Sequence, residues 1–175
     1  MTAGNLPGMA EATSSSITIA APPERVMAVI ADFAAYPQWA AAVRSAEVIH
    51  RDPEGRPSQV RFSLDAGMIK DSYVLGYQWD GDASVRWDLA EPGTVVSAMT
   101  GGYFLAGQPA GTDVTYELSV DVRMPLLGML KRRAEKMIID TALKGLKSRV
   151  EGLHMQAAGT GSGQQQDQDK EEGAT

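Results

Sequence analysis

The chain has 175 residues, enough for one domain with short tails. Hydrophobic residues at 43% and charged residues at 22% are ordinary for a globular domain, and the absence of cysteine excludes a disulfide framework and thiolate metal sites. The net charge of −6 argues against a nucleic-acid footprint, but it is unevenly spread: residues 126–153 carry seven bases against three acids, whereas 157–175 carry four acids and one base.

Residues 1–12 show no apolar period and read as an unstructured leader, without the basic and apolar regions of a signal peptide. No run of 18 apolar residues occurs, so no membrane span is expected and the cytoplasm is the predicted compartment. Ile17 and Ile19 alternate with Thr18 and predict a first strand over 14–20. Pro22 and Pro23 then open a helix, with Glu24 in its first turn where the dipole favours an acid. Val26, Val29, Ile30 and Phe33 mark one helical face over 22–33. Pro37 interrupts it, leaving 35–41 as a short second helix or turn that presents Tyr36 and Trp39.

From Val43 the period changes to two. Strands are predicted over 43–51, 59–66, 68–79, around Val85 to Leu89, over 94–105 and over 114–124. Asp52-Pro53-Glu54-Gly55, Asp80-Gly81-Asp82 and Glu91-Pro92-Gly93 read as turns, 107–112 as a loop, and Gly67 as a break. Gly101 sits where a strand bends or bulges. Each strand has one apolar face: Val60, Phe62 and Leu64; Tyr73, Leu75 and Tyr77; Val85, Trp87 and Leu89; Met99, Tyr103 and Leu105; Val114, Tyr116 and Leu118. Sheets with one wet side pattern in this way when antiparallel. Residues 124–153 then repeat apolar side chains three and four apart, behind Pro125, as one long helix that covers the dry side. Residues 157–175 are low-complexity Gly, Gln and acid and are expected to be disordered.

The opening strand, the segment APPERVMAVIADFAAYPQW, the six-strand meander and the terminal MPLLGMLKRRAEKMIIDTALKGLKSRVEG together resemble the START-like, or Bet v 1-like, helix-grip superfamily over about 14–153. The resemblance is to its polyketide cyclase/dehydrase and lipid-transport members, including actinobacterial and coenzyme-Q-binding ones. It implies an α+β fold: a curved antiparallel sheet of about seven strands, two short helices after the first strand, and a long C-terminal helix across the sheet. The domain would span 13–156. The resemblance also implies that the groove between helix and sheet is hollow.

The inward phases, with the helix apolar arc, place Trp39, Phe62, Tyr73, Leu75, Trp87, Met99, Tyr103, Tyr116, Leu130, Met137 and Thr141 as walls of a ligand cavity. Small residues on that arc, Ala134, Thr141, Ala142 and Gly145, leave room opposite the sheet. No catalytic residue is assigned. His50 and His154 are peripheral surface histidines, and no His or Cys cluster points to a metal or cofactor. Asp65 and Asp71 flank Gly67 and would serve as an acid/base pair only if buried together; two exposed turn carboxylates are the plainer reading. The expectation is a carrier for a small apolar ligand: a lipid, isoprenoid or polyketide. The alternatives are a polyketide cyclase or dehydratase in the same cavity, which leaves enzymatic activity open, and contact with a protein or membrane surface through the basic helix face. No nucleic-acid partner is expected. The oligomeric state is left open, a homodimer included.

Overall fold

The computed structural model describes residues 12–66, 69–124 and 128–160. Residues 1–11 of the expected 1–12 leader, the break at Gly67, Met68, the helix start at 125–127 and residues 161–175 of the expected 157–175 tail lie outside the described residues. Seven strands form one antiparallel sheet: β1 (Thr13–Ile19), β2 (Val43–Arg51), β3 (Pro57–Ala66), β4 (Ile69–Asp80), β5 (Ser84–Glu91), β6 (Val96–Gln108) and β7 (Gly111–Val122). Their order is β1-β7-β6-β5-β4-β3-β2, so the meander from β2 to β7 is closed at one edge by the first strand. Helices α1 (Pro23–Ala31) and α2 (Tyr36–Trp39), joined by a 3-10 turn (Phe33–Ala35), follow β1, and α3 (Gly128–Thr160) ends the described chain. This is the expected helix-grip α+β architecture.

Local chemistry accounts for the boundaries. Pro22 is extended at φ −70°, ψ 157°, Pro23 occupies the first turn of α1, and Glu24 meets the positive end of the helix. Gly81, at φ +51°, turns β4 into β5. The segment 107–112 is not a loop. β6 runs to Gln108, β7 starts at Gly111, and Gln108 pairs with Gly111 across a two-residue turn. Gly111 makes that turn possible, because its φ of +144° is open only to glycine without strain. The register shift on β6 falls between Val96 and Ala98 rather than at Gly101. Helix α3 continues to Thr160, four residues past the expected domain limit of 156.

Directly opposed residues share a face, so the register sorts the sheet. Phe62 faces Tyr73, Tyr77 faces Trp87, Trp87 faces Gly101, and Tyr103 faces Tyr116, all on the inner side. Val26, Met27 and Ile30 of α1 and Ile139, Leu143, Leu146 and Val150 of α3 close one end of that side as a single apolar cluster. Burying each such side chain stabilises the fold by roughly 1.5–3 kcal/mol. The opposite end is covered far less: Leu64, Leu89, Met99 and Val120 are only half-buried.

Candidate functional site

The inner face of the sheet carries a continuous run of rings. Tyr36 packs on Trp39 at 4.7 Å between centroids and on Phe33 at 4.9 Å. Phe33 in turn meets Tyr77 at 5.0 Å, and Phe62 stacks on Tyr73 at 5.9 Å. Trp87 lies 5.8 Å from Tyr77, 5.5 Å from Tyr103 and 5.6 Å from Tyr116, and the last two tyrosines are 4.5 Å apart. The chain has five tyrosines in all, and every one is in this group. Gly101 lies beneath the Trp87 indole: a Cβ there would sit 2.5 Å from its Cζ2. That close approach is the reason for a glycine inside the strand.

The polar ends of these rings are poorly served by the protein. The Tyr36 hydroxyl donates to the Ile30 carbonyl at 2.6 Å, and Trp79 Nε1 donates to Pro57 O at 2.6 Å. Among the described residues, no hydrogen bond joins the hydroxyl of Tyr73, Tyr77, Tyr103 or Tyr116 to another protein group. The indole N–H groups of Trp39 and Trp87 are buried without an acceptor. Buried polar groups in such a state cost free energy unless something else pairs with them. Burial pushes all five phenols above their usual value of 10. Mutual repulsion adds to this for Tyr36, Tyr77, Tyr103 and Tyr116, and Asp71 adds to it for Tyr73. At neutral pH each is an uncharged hydrogen-bond donor.

Of the expected cavity walls, Phe62, Tyr73, Leu75, Trp87, Tyr103 and Tyr116 are buried on the inner face, and Trp39 and Met99 are half-buried beside it. Leu130, Met137 and Thr141 are corrections: all three are exposed, away from the face of α3 that packs inward. The inward positions belong to Glu135, Ile139, Leu143, Leu146 and Val150. Ala134 is exposed too, and Gly145 is spent on packing, since a Cβ there would lie 2.5 Å from the Trp39 carbonyl. The small residues therefore do not open space over the sheet.

The phase of α3 is set by Glu135. Its Oε1 accepts the Val120 N–H at 2.8 Å and its Oε2 accepts the Thr13 hydroxyl at 2.6 Å, while Lys131 Nζ lies 3.6 Å from Oε1. β1 begins at Thr13, paired to Leu118, and among the described residues no strand pairs with Val120 on that edge of β7; the carboxylate takes its N–H. Helix α3 thereby lies along β1 and β7, held further by Lys136 to Ser15 and by Lys147 to the Thr18 carbonyl. It leaves the middle strands uncovered toward its N-terminal half.

Asp65 and Asp71 do not form a pair. Asp65 opposes Lys70 and Asp71 opposes Leu64, which puts them on opposite faces of the sheet. Asp65 binds Arg44 at 2.7 Å on the outside. Asp71 is buried inward, where its oxygens accept the N–H groups of Thr94, Val95 and Val96 at 2.8 to 3.1 Å and the Thr94 hydroxyl at 3.1 Å. It latches the β5–β6 loop beside Tyr73. Burial alone would raise its pKa, but the donors of Val96, Thr94 and Val95 together outweigh that and hold it below the usual value.

Tyr36 and Tyr77 belong to the ring group but are not among the expected walls. Tyr77 shares the expected apolar face with Tyr73, and that parity alone would have added it. Tyr36 reaches the group only because the chain folds under at Pro37, which no periodicity announces. His50 is exposed on β2. His154 borders an open depression of about 560 Å³ near the β6–β7 turn, lined by small residues and prolines and remote from the rings.

Residues 10–151 match the family described as polyketide cyclase / dehydrase and lipid transport. The chain belongs to this family. No curated protein is a detectable match. Among solved structures, a START superfamily protein from Mycobacterium smegmatis is 23% identical with a TM-score of 0.76, over 82% of this chain and 99% of that one. The Zhui aromatase/cyclase from a Streptomyces species is 17% identical with a TM-score of 0.68, over 85% and 97%. A Thermus thermophilus protein is 24% identical with a TM-score of 0.67, over 81% and 98%. At these identities the likeness is one of fold: this member of the polyketide cyclase / dehydrase and lipid transport family shares the START-like helix grip with them. Among its described residues no helix is long and apolar enough to cross a membrane.

Proposed function

We propose that the inner face of the sheet binds a neutral, largely apolar small molecule that carries hydrogen-bond acceptors, as a cytoplasmic carrier would. The observation behind this is the set of unpaired donors: four phenols and two indole N–H groups among aromatic walls. The buried carboxylates Asp71 and Glu135 are committed to backbone N–H groups. The inner face therefore favours carbonyl or ether oxygens and, among the described residues, offers a fatty-acid carboxylate no buried cation. Flat ring systems suit the aromatic walls, which favours an isoprenoid quinone or polyketide type of ligand over a simple acyl chain. A cyclase or dehydratase would need a proton acceptor as well, and phenols raised above 10 keep their protons at neutral pH. The donor set thus supports binding ahead of chemistry.

Titration with a naphthoquinone and with palmitate, read by tryptophan fluorescence, tests the reading. The quinone is expected to bind more tightly. Tyr103→Phe and Tyr116→Phe should each weaken it about three- to tenfold, the loss of one neutral hydrogen bond of about 0.5–1.5 kcal/mol. Palmitate binding as tightly as the quinone, or phenylalanine variants with unchanged affinity, would refute it.

A further inference from the structure

Water is a poor neighbour for the outward arc of α3. Met129 is 84% exposed, Leu130 52%, Met137 66% and Ile138 48%. They fall as two adjacent pairs about two turns apart on the N-terminal half of the helix, on the side that Glu135 and Ile139, both buried, do not hold. Arg133 stands among them, four residues from both Met129 and Met137, and it pairs with no carboxylate among the described residues. Four large apolar side chains clustered on one exposed helical surface are uncommon in a globular protein and mark a surface that meets something.

Charge decides what that is. Residues 121–140 carry five bases, Arg123, Lys131, Arg132, Arg133 and Lys136, against three acids, Asp121, Glu135 and Asp140. Asp121 pairs with Lys131 at 2.8 Å and Asp140 with Lys136 at 2.9 Å, so Arg133 is the charge at the centre of the arc. Of the acids, Glu135 is buried and turned inward to β7. A chain with a net charge of −6 thus presents a net positive apolar surface here. A second copy docked on the same surface would set this positive charge against itself. An anionic bilayer answers both features: methionine and leucine side chains sink below the headgroups, and an arginine between them keeps its guanidinium at the phosphates.

We propose that the outward arc of α3, formed by Met129, Leu130, Met137 and Ile138 around Arg133, docks the protein on an anionic lipid surface. The arc is separate from the inner rings, so its test does not depend on whether the ligand reading holds.

The full chain is mixed with vesicles of phosphatidylcholine alone and with vesicles that also contain phosphatidylglycerol, and the bound fraction is measured by flotation. Binding to the phosphatidylglycerol vesicles is expected, at least about tenfold weaker to phosphatidylcholine alone and weakened by added salt. The double variants Met129→Ser/Met137→Ser and Arg132→Glu/Arg133→Glu should each weaken it at least about tenfold with unchanged thermal melts. Absence of binding to phosphatidylglycerol vesicles at low salt would overturn the proposal. So would binding that both variants retain. A wild-type dimer that Met129→Ser/Met137→Ser converts to a monomer would overturn it as well, by giving the arc to a second copy.

Discussion

Replacing Asp71 by alanine removes the acceptor for three consecutive backbone N–H groups, those of Thr94, Val95 and Val96, and for the Thr94 hydroxyl. A hydrogen bond to a charged group is worth about 1.5–3 kcal/mol, and a buried donor left without a partner costs a similar amount. Thr94 is exposed and recovers its bonds from water; Val96 is buried and does not. The net cost is therefore expected near that of one or two such bonds, about 3 kcal/mol. For a domain of this size it corresponds to a fall in Tm of about 6–12 °C. The pH dependence supplies a second check. Asp71 titrates lower in the folded chain than its ordinary 3.8, so its contribution is complete at neutral pH. It is lost as the pH falls below about 4 and through the folded value. The gap between wild type and Asp71→Ala should therefore be full at pH 7 and narrow as the pH drops into that range, in melts followed by circular dichroism. A variant melting within about 1 °C of wild type at pH 7, or a gap as wide in acid as at neutrality, would refute the latch.

The phase of α3 can be checked by truncating two side chains nine residues apart. Leu146→Ala, at a fully buried position, should cost about 2–5 kcal/mol in urea unfolding, whereas Met137→Ala should stay within about 0.5 kcal/mol. Equal costs would mean that the helix is rotated from the position described. Gly101→Ala pushes a methyl group into the Trp87 indole and should destabilise by about 1–3 kcal/mol while altering the tryptophan emission spectrum. An unchanged spectrum would show that the indole rests elsewhere.

The sheet was legible because the inward parity survives from β3 to β7: Phe62, Tyr73, Trp87, Tyr103 and Tyr116 point inward as it requires. The helix phase was not. Met137, Ile138 and Ile139 are three apolar residues in a row, and hydrophobicity alone cannot choose which faces the core. The residue that chooses is Glu135, a carboxylate that any apolar pattern assigns to solvent. It is welcome inside because the Val120 N–H at the edge of β7 and the Thr13 hydroxyl both donate to it, a circumstance of tertiary structure. The tight β6–β7 turn was hidden for a related reason. Gly107, Gln108, Pro109 and Ala110 have loop composition, and only the backbone of Gly111 shows that two residues suffice.

With Tyr77, Tyr103 and Tyr116 gathered around Trp87, and Tyr36 and Tyr73 in the same run of rings, the near-ultraviolet signal of the protein comes largely from one group of side chains. Light absorbed by the phenols can pass to the indole at its centre, and an absorbing guest such as a quinone would intercept it there. The molecule carries its own optical gauge of occupancy, and binding can be followed without attaching a dye.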